Sequence, residues 1–467
     1  MVEVRRVGRV QWEIPKAGAM RVPVRIYATE KIMEMMHHDR TLQQIVDVAA
    51  LPGIHRHALL MPDGHEGYGF PIGGVAAFRE EDGVVSPGGI GYDINCGMRL
   101  LVSELSIEDV EGKIPSLLEE IFRKVPSGLG EGSGQTMDRS DFLELVSEGA
   151  RWALKQGLAV PDDLRHMEEG GSMPADPSHL SQKAVARGLK QVGTLGAGNH
   201  FMEIQRVERV FGDGAVAEKF GLRPDQIVVM IHTGSRGFGH QVADDYIKLM
   251  LGAAGRYGVE LPNKQLAAAP LNTPEADKYL ESMKCAVNYA FVNRQKIAFT
   301  VREIFDSMLG AKLKLLYDVA HNIGKYEIHN GEKVFIHRKG ATRAFGPGRG
   351  DIPGDFRLVG QPVIIPGSMG TASYVMVGLG NPGSFESSCH GAGRVMSRGE
   401  AMRRLGRVSI KGQLEVKGIR VRTANLRNLA QEAPQAYKDI DEVVRTVHES
   451  GISSPVARMV PLGVVKG

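Results

Sequence analysis

The chain has 467 residues, 42% of them hydrophobic and 24% charged, which is ordinary for a globular protein and long enough for a large core. Its formal net charge of +3 is too small to establish nucleic-acid binding, and its three cysteines (Cys96, Cys285 and Cys389) argue against a disulfide framework. The N-terminus lacks the apolar core of a signal peptide, and no uncharged apolar run reaches membrane-spanning length. We therefore expect a cytoplasmic protein without a membrane partner.

The first 100 residues predict short strands separated by turns. Strand-like segments lie at 22–27, 73–78 and 98–102. Pro23 places the first of them at a sheet edge or at the start of a strand. Apolar spacing typical of helices follows at 107–124 and 139–156. Residues 157–177 are polar and rich in Gly, Pro and Asp, which predicts a loop.

The second half of the chain predicts longer elements. Residues 226–232 form a short apolar run that predicts a buried strand ending in His232. Residues 273–310 contain no proline after Pro274 and predict one long helix. Residues 313–319 alternate as in a strand that leads to His321, and a last helix is predicted at 439–449.

The residues that could bind a metal ion or act as a nucleophile are spread along the chain, and their distribution decides the predicted domain organisation. They extend from residue 93 to residue 390, so a division into independent domains would divide the site. We therefore predict one α+β domain over residues 1–467, with β-sheets, peripheral helices and a dinuclear metal site at the ends of loops.

Four segments place a metal-binding side chain beside glycine or another small residue, where backbone can approach a ligand closely. These side chains are Asp93, Cys96, His200, His232 and His321. A buried cysteine or a lone histidine is more often structural, but five such groups are enough for two metal ions about 3.5–4 Å apart. Ligand softness alone favours zinc, because zinc prefers thiolate.

His390 stands before Gly391-Ala392-Gly393 and has no carboxylate close in sequence. As a nucleophile it would need an acceptor to orient its other ring nitrogen. Asp63 is the candidate orienting carboxylate, although a surface turn is the alternative interpretation of its segment. Residues 366–373 form a small-residue loop that could cradle phosphates or a base, but they do not match the Walker pattern. Basic residues between 394 and 422 form either a solvated face or a binding patch.

Together these segments resemble the RtcB family of RNA-splicing ligases over essentially the whole chain. The motifs that carry the resemblance are Asp93-x-x-Cys96-Gly97, Gly198-Asn199-His200-Phe201, His232-x-Gly234-Ser235-Arg236, His321-Asn322, Pro366-Gly367-Ser368-Met369 and His390-Gly391-Ala392-Gly393-Arg394. The resemblance implies a ligase that uses GTP and Mn²⁺ to join RNA with a 3′-phosphate or 2′,3′-cyclic phosphate to RNA with a 5′-hydroxyl. It further implies tRNA splicing or RNA repair, with tRNA halves as RNA partners and an archease as an activating protein.

The same resemblance implies roles for individual residues. Asp93, Cys96 and His200 would hold one manganese, and Cys96, His232 and His321 the other, in place of the zinc that ligand softness favours. His390 would take GMP from GTP and pass it to RNA, giving an RNA 3′-diphosphoguanosine intermediate. The residues implied for the nucleotide pocket are Asn199, His200, Phe201, Met202, Glu203, His321, Asn322, Pro366, Gly367, Ser368, Met369, Ser373, His390, Gly391, Ala392, Gly393, Tyr437 and Lys466. The arginines implied for RNA phosphates are Arg187, Arg236, Arg394 and Arg398.

Two other functional classes remain open from the residues alone. A dinuclear metallophosphoesterase would need the metal ligands but neither His390 nor Lys466. A noncatalytic RNA-end-binding protein would keep the arginines and need no metal. Covalent attachment of GMP would separate the ligase from both.

Overall fold

The computed structural model describes residues 2–128, 132 and 136–467. The strands are β1 Arg5–Arg6, β2 Gln11–Ile14, β3 Val24–Tyr27, β4 Ile54–His65, β5 Ile72–Arg79, β6 Val84–Val85, β7 Gly97–Ser106, β8 Phe201–Val210, β9 Gln226–Thr233, β10 Ala269–Pro270, β11 Lys314–Ala320, β12 Asn322–His329, β13 Glu332–Lys339, β14 Ala341–Arg343, β15 Pro362–Ile365, β16 Ser373–Gly378, β17 Ser387–Cys389, β18 Arg420–Thr423 and β19 Ser453–Lys466. The α-helices are α1 Glu30–Met36, α2 Thr41–Ala49, α3 Ile107–Val110, α4 Ile114–Lys124, α5 Arg139–Glu148, α6 Ala150–Lys155, α7 Pro161–Arg165, α8 Gln182–Gly188, α9 Ala215–Lys219, α10 Arg236–Arg256, α11 Pro274–Leu309, α12 Arg398–Leu405, α13 Ile410–Val416 and α14 Ile440–Glu449.

Two large, mostly antiparallel sheets form the framework. One has the strand order β1-β2-β3-β4-β5-β13-β12, and the other has the order β11-β7-β9-β8-β19-β16-β15, with β18 beside β19. Among the pairs of strands in the described residues, only β3–β4 and β18–β19 run parallel. Antiparallel sheets with helices packed on them are the α+β arrangement, so the mixed α and β architecture predicted from the sequence is confirmed.

Helix α11 is the longest helix of the described chain, with 36 residues. The Thr273 side chain accepts a hydrogen bond from the Ala276 N–H, Pro274 occupies the first turn, and Gly310 ends the helix in a left-handed conformation. These are favourable residues for a helix start and stop. The helix packs against β7 and β9 and is buried along much of its length, so it supports the strands that carry the candidate ligands.

The register of the second sheet brings several strand ends to one edge. Gly97 pairs with both Thr233 and Ala320, and Phe201 pairs with His232. Cys96, His200 and His321 are the residues immediately beside these strand ends. Four segments that are far apart in sequence therefore meet at one end of the sheet, where these strands begin or end.

Several sequence predictions are confirmed, including the strand at 226–232 and the helix at 273–310. Other predictions are wrong. Helices α1 and α2 lie within the first 100 residues, where only strands and turns are predicted. The segment 157–177 contains α7 and a 3₁₀ turn at Glu168–Gly171, so it is not simply a loop. Of the two alternatives predicted for Pro23, the strand start is confirmed and the sheet edge is not, because Pro23 precedes β3, which pairs with strands on both sides.

The described residues contain no helix that is both long enough and apolar enough to cross a membrane. One domain over residues 1–467 stays a prediction.

Candidate functional site

The candidate metal ligands converge at the end of the second sheet described above, where strands β7, β8, β9 and β11 begin or end. The Cys96 Sγ lies 3.4 Å from the His200 Nε2 and 3.3 Å from the His232 Nε2. The His232 and His321 Nε2 atoms are 3.2 Å apart, and the His200 Nε2 is 2.8 Å from the Asp93 Oδ2. The cluster joins residues that are up to 228 positions apart in the chain, between Asp93 and His321.

The five residues form two overlapping ligand sets. In each set one ligand atom per residue lies within 4.8 Å of the others. Asp93, Cys96 and His200 make the first set, and Cys96, His232 and His321 make the second. Cys96 belongs to both, and a thiolate sulfur has several lone pairs with which to bridge two ions. The sequence prediction paired these residues in the same way.

The donor set fits transition-metal ions. Two nitrogens bound tetrahedrally to one ion at about 2.1 Å lie roughly 3.4 Å apart, close to the 3.2 Å between the His232 and His321 nitrogens. Cys96, His232 and His321 are nearly inaccessible to solvent. Imidazole and thiolate ligands suit several transition metals, whereas Ca²⁺ and Mg²⁺ prefer oxygen.

Burial controls the protonation of these groups. It lowers the pKa of His232 and His321 well below the usual range, so both rings are neutral and can offer a lone pair. Burial also raises the pKa of the Cys96 thiol, and the Asp93 carboxylate adds to this effect. Burial would raise the pKa of Asp93 as well, but the adjacent His200 ring outweighs it and holds the pKa below the usual range.

Arg294 on α11 supports the candidate metal ligands, and the sequence does not predict it. Its guanidinium is fully buried, pairs with Asp318, and donates hydrogen bonds to the carbonyl oxygens of Asn95 and Thr233. These carbonyls belong to the residues next to Cys96 and His232. One arginine therefore ties two ligand-bearing strand ends together, a role for which an arginine inside an amphipathic helix gives no local signal.

The partly buried His390 and the fully buried Asp63 form a pair beside the candidate metal ligands. The His390 Nδ1 and the Asp63 Oδ2 are 2.5 Å apart, and the His390 backbone N–H donates to the same oxygen at 3.1 Å. The His390 and His321 rings pack edge to face with centroids 5.0 Å apart. Gly393 has a φ of +73°, and a Cβ there would lie 2.2 Å from the Asp63 carbonyl oxygen, so glycine permits this close approach.

Several of the residues implied for the nucleotide pocket lie close to one another. Gln205 and the Gly367 N–H both donate to the Ser373 hydroxyl, which joins β8 to the 366–373 loop. Burial raises the pKa of Glu203 to about 7, although the nearby Lys466 opposes the shift. Lys466 is itself buried, and its Nζ lies 5.7 Å from the centre of the Phe201 ring. Lys466 is the last residue of strand β19.

A buried carboxylate, Glu432, organises several of the predicted binding residues. Its oxygens lie 3.4 Å from both the Arg394 and the Arg398 guanidinium and 3.9 Å from the Lys466 Nζ. The Tyr437 hydroxyl also donates to Glu432. Glu432 was not predicted, because its partners are not adjacent to it in sequence.

The four predicted RNA-binding arginines differ in exposure. Arg187 is exposed on α8, and the Arg398 side chain is 54% exposed. Arg394 is largely enclosed by Glu432, Tyr437 and backbone carbonyls. Arg236 is buried and donates to the Thr194 hydroxyl, so its guanidinium has a structural partner as well. Only Arg187 and Arg398 offer freely accessible charge, and the RNA-binding roles stay predictions.

Comparison with known proteins gives matches over the whole chain. A family model described as tRNA-splicing ligase RtcB matches residues 44–467. The tRNA-splicing ligase RtcB of Thermococcus kodakarensis is 49% identical, covering 100% of this chain and 99% of the relative. The Archaeoglobus fulgidus protein of the same name is 50% identical over 99% of both chains. The RNA-splicing ligase RtcB of Mycobacterium tuberculosis is 48% identical, covering 91% of this chain and 100% of the relative.

Proposed function

The chain belongs to the tRNA-splicing ligase RtcB family, and we propose that it is an RNA ligase dependent on GTP and manganese. The proposed substrates are an RNA that ends in a 3′-phosphate or 2′,3′-cyclic phosphate and an RNA that begins with a 5′-hydroxyl. We propose tRNA halves as the natural pair, broken RNAs as further substrates, and an archease as activating partner.

The pairing of His390 with Asp63 is the observation that carries this proposal. A hydrogen bond from Nδ1 to the buried carboxylate keeps the ring proton on Nδ1 and leaves the lone pair on Nε2. An imidazole oriented in this way can attack through its Nε2, and it stands beside the proposed metal ligand His321. A phosphoesterase that uses only metal ligands would have no need of this pair.

The proposed reaction has three transfers. The His390 Nε2 attacks the α-phosphorus of GTP, so that an N–P bond forms and pyrophosphate leaves. The RNA 3′-phosphate then attacks the same phosphorus, the N–P bond breaks, and an RNA 3′-diphosphoguanosine end forms. Finally the 5′-hydroxyl attacks the RNA phosphorus, GMP leaves, and a 3′,5′ bond joins the strands. A 2′,3′-cyclic phosphate must first be hydrolysed to the 3′-phosphate.

The chain's own residues would bind and orient the reactants. Asp93, Cys96 and His200 would hold one manganese, and Cys96, His232 and His321 the second. When bound, the ions would neutralise phosphate charge and align the reacting groups, which is most of what phosphoryl transfer requires. Lys466 and Glu203 would contact the base. Arg187, Arg236, Arg394 and Arg398 would contact RNA phosphates, the buried Arg236 only after a local rearrangement.

Covalent labelling tests the proposal. Protein incubated with Mn²⁺ and GTP labelled at the α-phosphorus should retain label after denaturation, whereas label at the γ-phosphorus should be lost with pyrophosphate. Peptide mapping should place GMP on His390. The His390→Ala variant should form no adduct but should still ligate RNA supplied with a 3′-diphosphoguanosine end, because that substrate bypasses activation. An adduct on Lys466, or one that persists in His390→Ala, would contradict the mechanism.

The same experiment separates the other functional classes. A dinuclear phosphoesterase should release phosphate from RNA ends without acquiring label, and an RNA-end-binding protein should bind RNA without metal and without label. Replacing Mn²⁺ by Zn²⁺ in parallel reactions tests the metal, since ligand softness favours zinc and family membership favours manganese.

A further inference from the structure

Lys438 is a buried lysine that lies behind the His390–Asp63 pair. Its side chain is 5% exposed, and its Nζ donates hydrogen bonds to the carbonyl oxygens of Pro62 at 2.9 Å and Gly64 at 2.5 Å. These two carbonyls flank Asp63 in the chain. The Lys438 backbone N–H donates to the Gly393 carbonyl at 2.9 Å. Lys438 therefore joins the Asp63 segment to the turn that follows His390.

The ammonium of Lys438 has no carboxylate within salt-bridge distance among residues 2–128, 132 and 136–467. Four titratable groups face it, namely Asp63, Asp39, Cys389 and His65. Burial lowers the pKa of Lys438 to about 8, and the negative charge of Asp63 opposes this shift. At neutral pH the ammonium thus retains its charge mainly because a buried carboxylate lies close by.

Asp63 needs such a charge because its own hydrogen bonds do not neutralise it. It is fully buried, and both His390 contacts use the Oδ2. In the described part of the chain the Oδ1 has no hydrogen-bond partner. An ionised carboxylate in such a place is costly unless a positive charge compensates it. If it took up a proton, it would no longer be a strong acceptor for the His390 Nδ1–H.

We propose that Lys438 is a positioning residue for the attack of His390 on GTP. Its ammonium fixes the two carbonyls around Asp63 and places a positive charge beside the buried carboxylate. Asp63 then holds the Nδ1–H of His390 and leaves Nε2 as the nucleophile. This inference rests on the proposed function, because it takes His390 as the residue that accepts GMP.

A purely structural lysine is the alternative, and the chain offers a matched control. Lys339 is also buried, and it donates to the carbonyl oxygens of Tyr68, Phe70 and Gly88. Burial lowers its pKa to about 7. Loss of either ammonium leaves buried carbonyls without a donor, so Lys438→Met and Lys339→Met should both reduce stability. Only Lys438 faces Asp63.

The rate of His390–GMP formation in a single turnover, measured against pH, tests the proposal. Lys438→Met removes the positive charge beside the His390–Asp63 pair, so the acidic limb of the profile should move up by about one pH unit or more. The rate at pH 7 should fall about tenfold or more, while the GTP concentration for half-maximal rate stays within about threefold. Lys339→Met should keep the acidic limb in the wild-type position. An unmoved limb in Lys438→Met would overturn the proposal.

Chemical rescue covers the case in which Lys438→Met does not fold. Lys438→Ala purified in propylamine should recover adduct formation about tenfold or more, because the alkylammonium can replace the lost charge, whereas propanol should not. Equal recovery with propanol would show a space-filling role and would overturn the proposal. His390→Ala is run in parallel. Label in that variant contradicts the proposed function itself, whereas normal Lys438 variants with His390-dependent label contradict only this inference.

Discussion

Cys96 should be required for the binding of both proposed metal ions, whereas His200 should be required for the binding of only one. This expectation follows from the two overlapping ligand sets, since Cys96 is the residue that they share. The proposed perturbations are Cys96→Ala, which removes a ligand from each set, and His200→Ala, which removes a ligand from the first set alone. Cys285→Ala is the matched control, because Cys285 is a buried cysteine on α11 outside both sets.

The expected magnitude can be worked from the ligand count. Each set contains three protein ligands, so each loses one of three in Cys96→Ala. Loss of a group that merely supports a ligand already weakens metal binding by about 10–100-fold. Loss of the ligand itself should therefore raise the dissociation constant of each ion by at least about 100-fold, or about 2.8 kcal/mol. In His200→Ala only the ion of the first set should be affected.

Equilibrium dialysis against Mn²⁺, followed by elemental analysis, measures the stoichiometry without any assay of activity. At a free concentration that saturates the wild type with two ions, His200→Ala should retain one ion and Cys96→Ala should retain none. Cys285→Ala should bind two. Two ions in Cys96→Ala, or the loss of both ions in His200→Ala, would refute a shared thiolate.

Three further predictions concern the residues around the nucleophile. Lys466→Ala should still form the His390 adduct, with the GTP concentration for half-maximal labelling raised about tenfold; a wild-type value would refute contact with the base. Burial raises the pKa of Glu203 to about 7, so GTP affinity measured by calorimetry should increase as pH rises through this value, when the carboxylate becomes ionised. Glu203→Gln should remove that pH dependence, and a persistent dependence would assign it elsewhere. Arg398→Ala should lower the salt dependence of RNA binding by about one ion and spare guanylylation. Arg236→Met should weaken RNA binding and should in addition lower thermal stability, because its guanidinium is buried, and equal effects of the two variants on stability would contradict this distinction.

The residues of the candidate site could be identified from the sequence because each lies in a short local motif. Cys96, His232 and His390 each stand beside glycine or at the end of an apolar run, and these patterns survive without knowledge of the fold. Asp63 was identified only as a candidate acceptor, yet the structure places its carboxylate against His390. The supporting residues Arg294 and Lys438 had no such signal, because their partners are backbone carbonyls from distant segments.

The fold was predictable where one period dominates a long segment. Helix α11 shows this, because its only proline lies in the first turn and its apolar residues recur at helical spacing. The sequence does not predict strand β4, because it contains Pro62 and Gly64, which are unfavourable in a strand. Its pairing with β5 also shifts register between Leu60 and His65. The polarity of segment 157–177 predicts a loop. In the structure two of its carboxylates are buried in ion pairs, Asp163 with Arg302 and Glu168 with Lys325. Polarity alone cannot show such long-range pairing.

The order of segments in the site has a consequence for how it is assembled. Strand β19 lies between β8 and β16 along one part of its length and between β8 and β18 along another, and it ends with Lys466 beside Phe201. Asp63, on β4, reaches the same site from the other end of the chain. The proposed nucleotide pocket therefore requires both sheets and strand β19 before its residues are in place. Lys466 is buried next to Glu203 and Glu432, so the end of strand β19 is part of the core. The residue proposed to contact the base therefore also belongs to an interior strand of the second sheet.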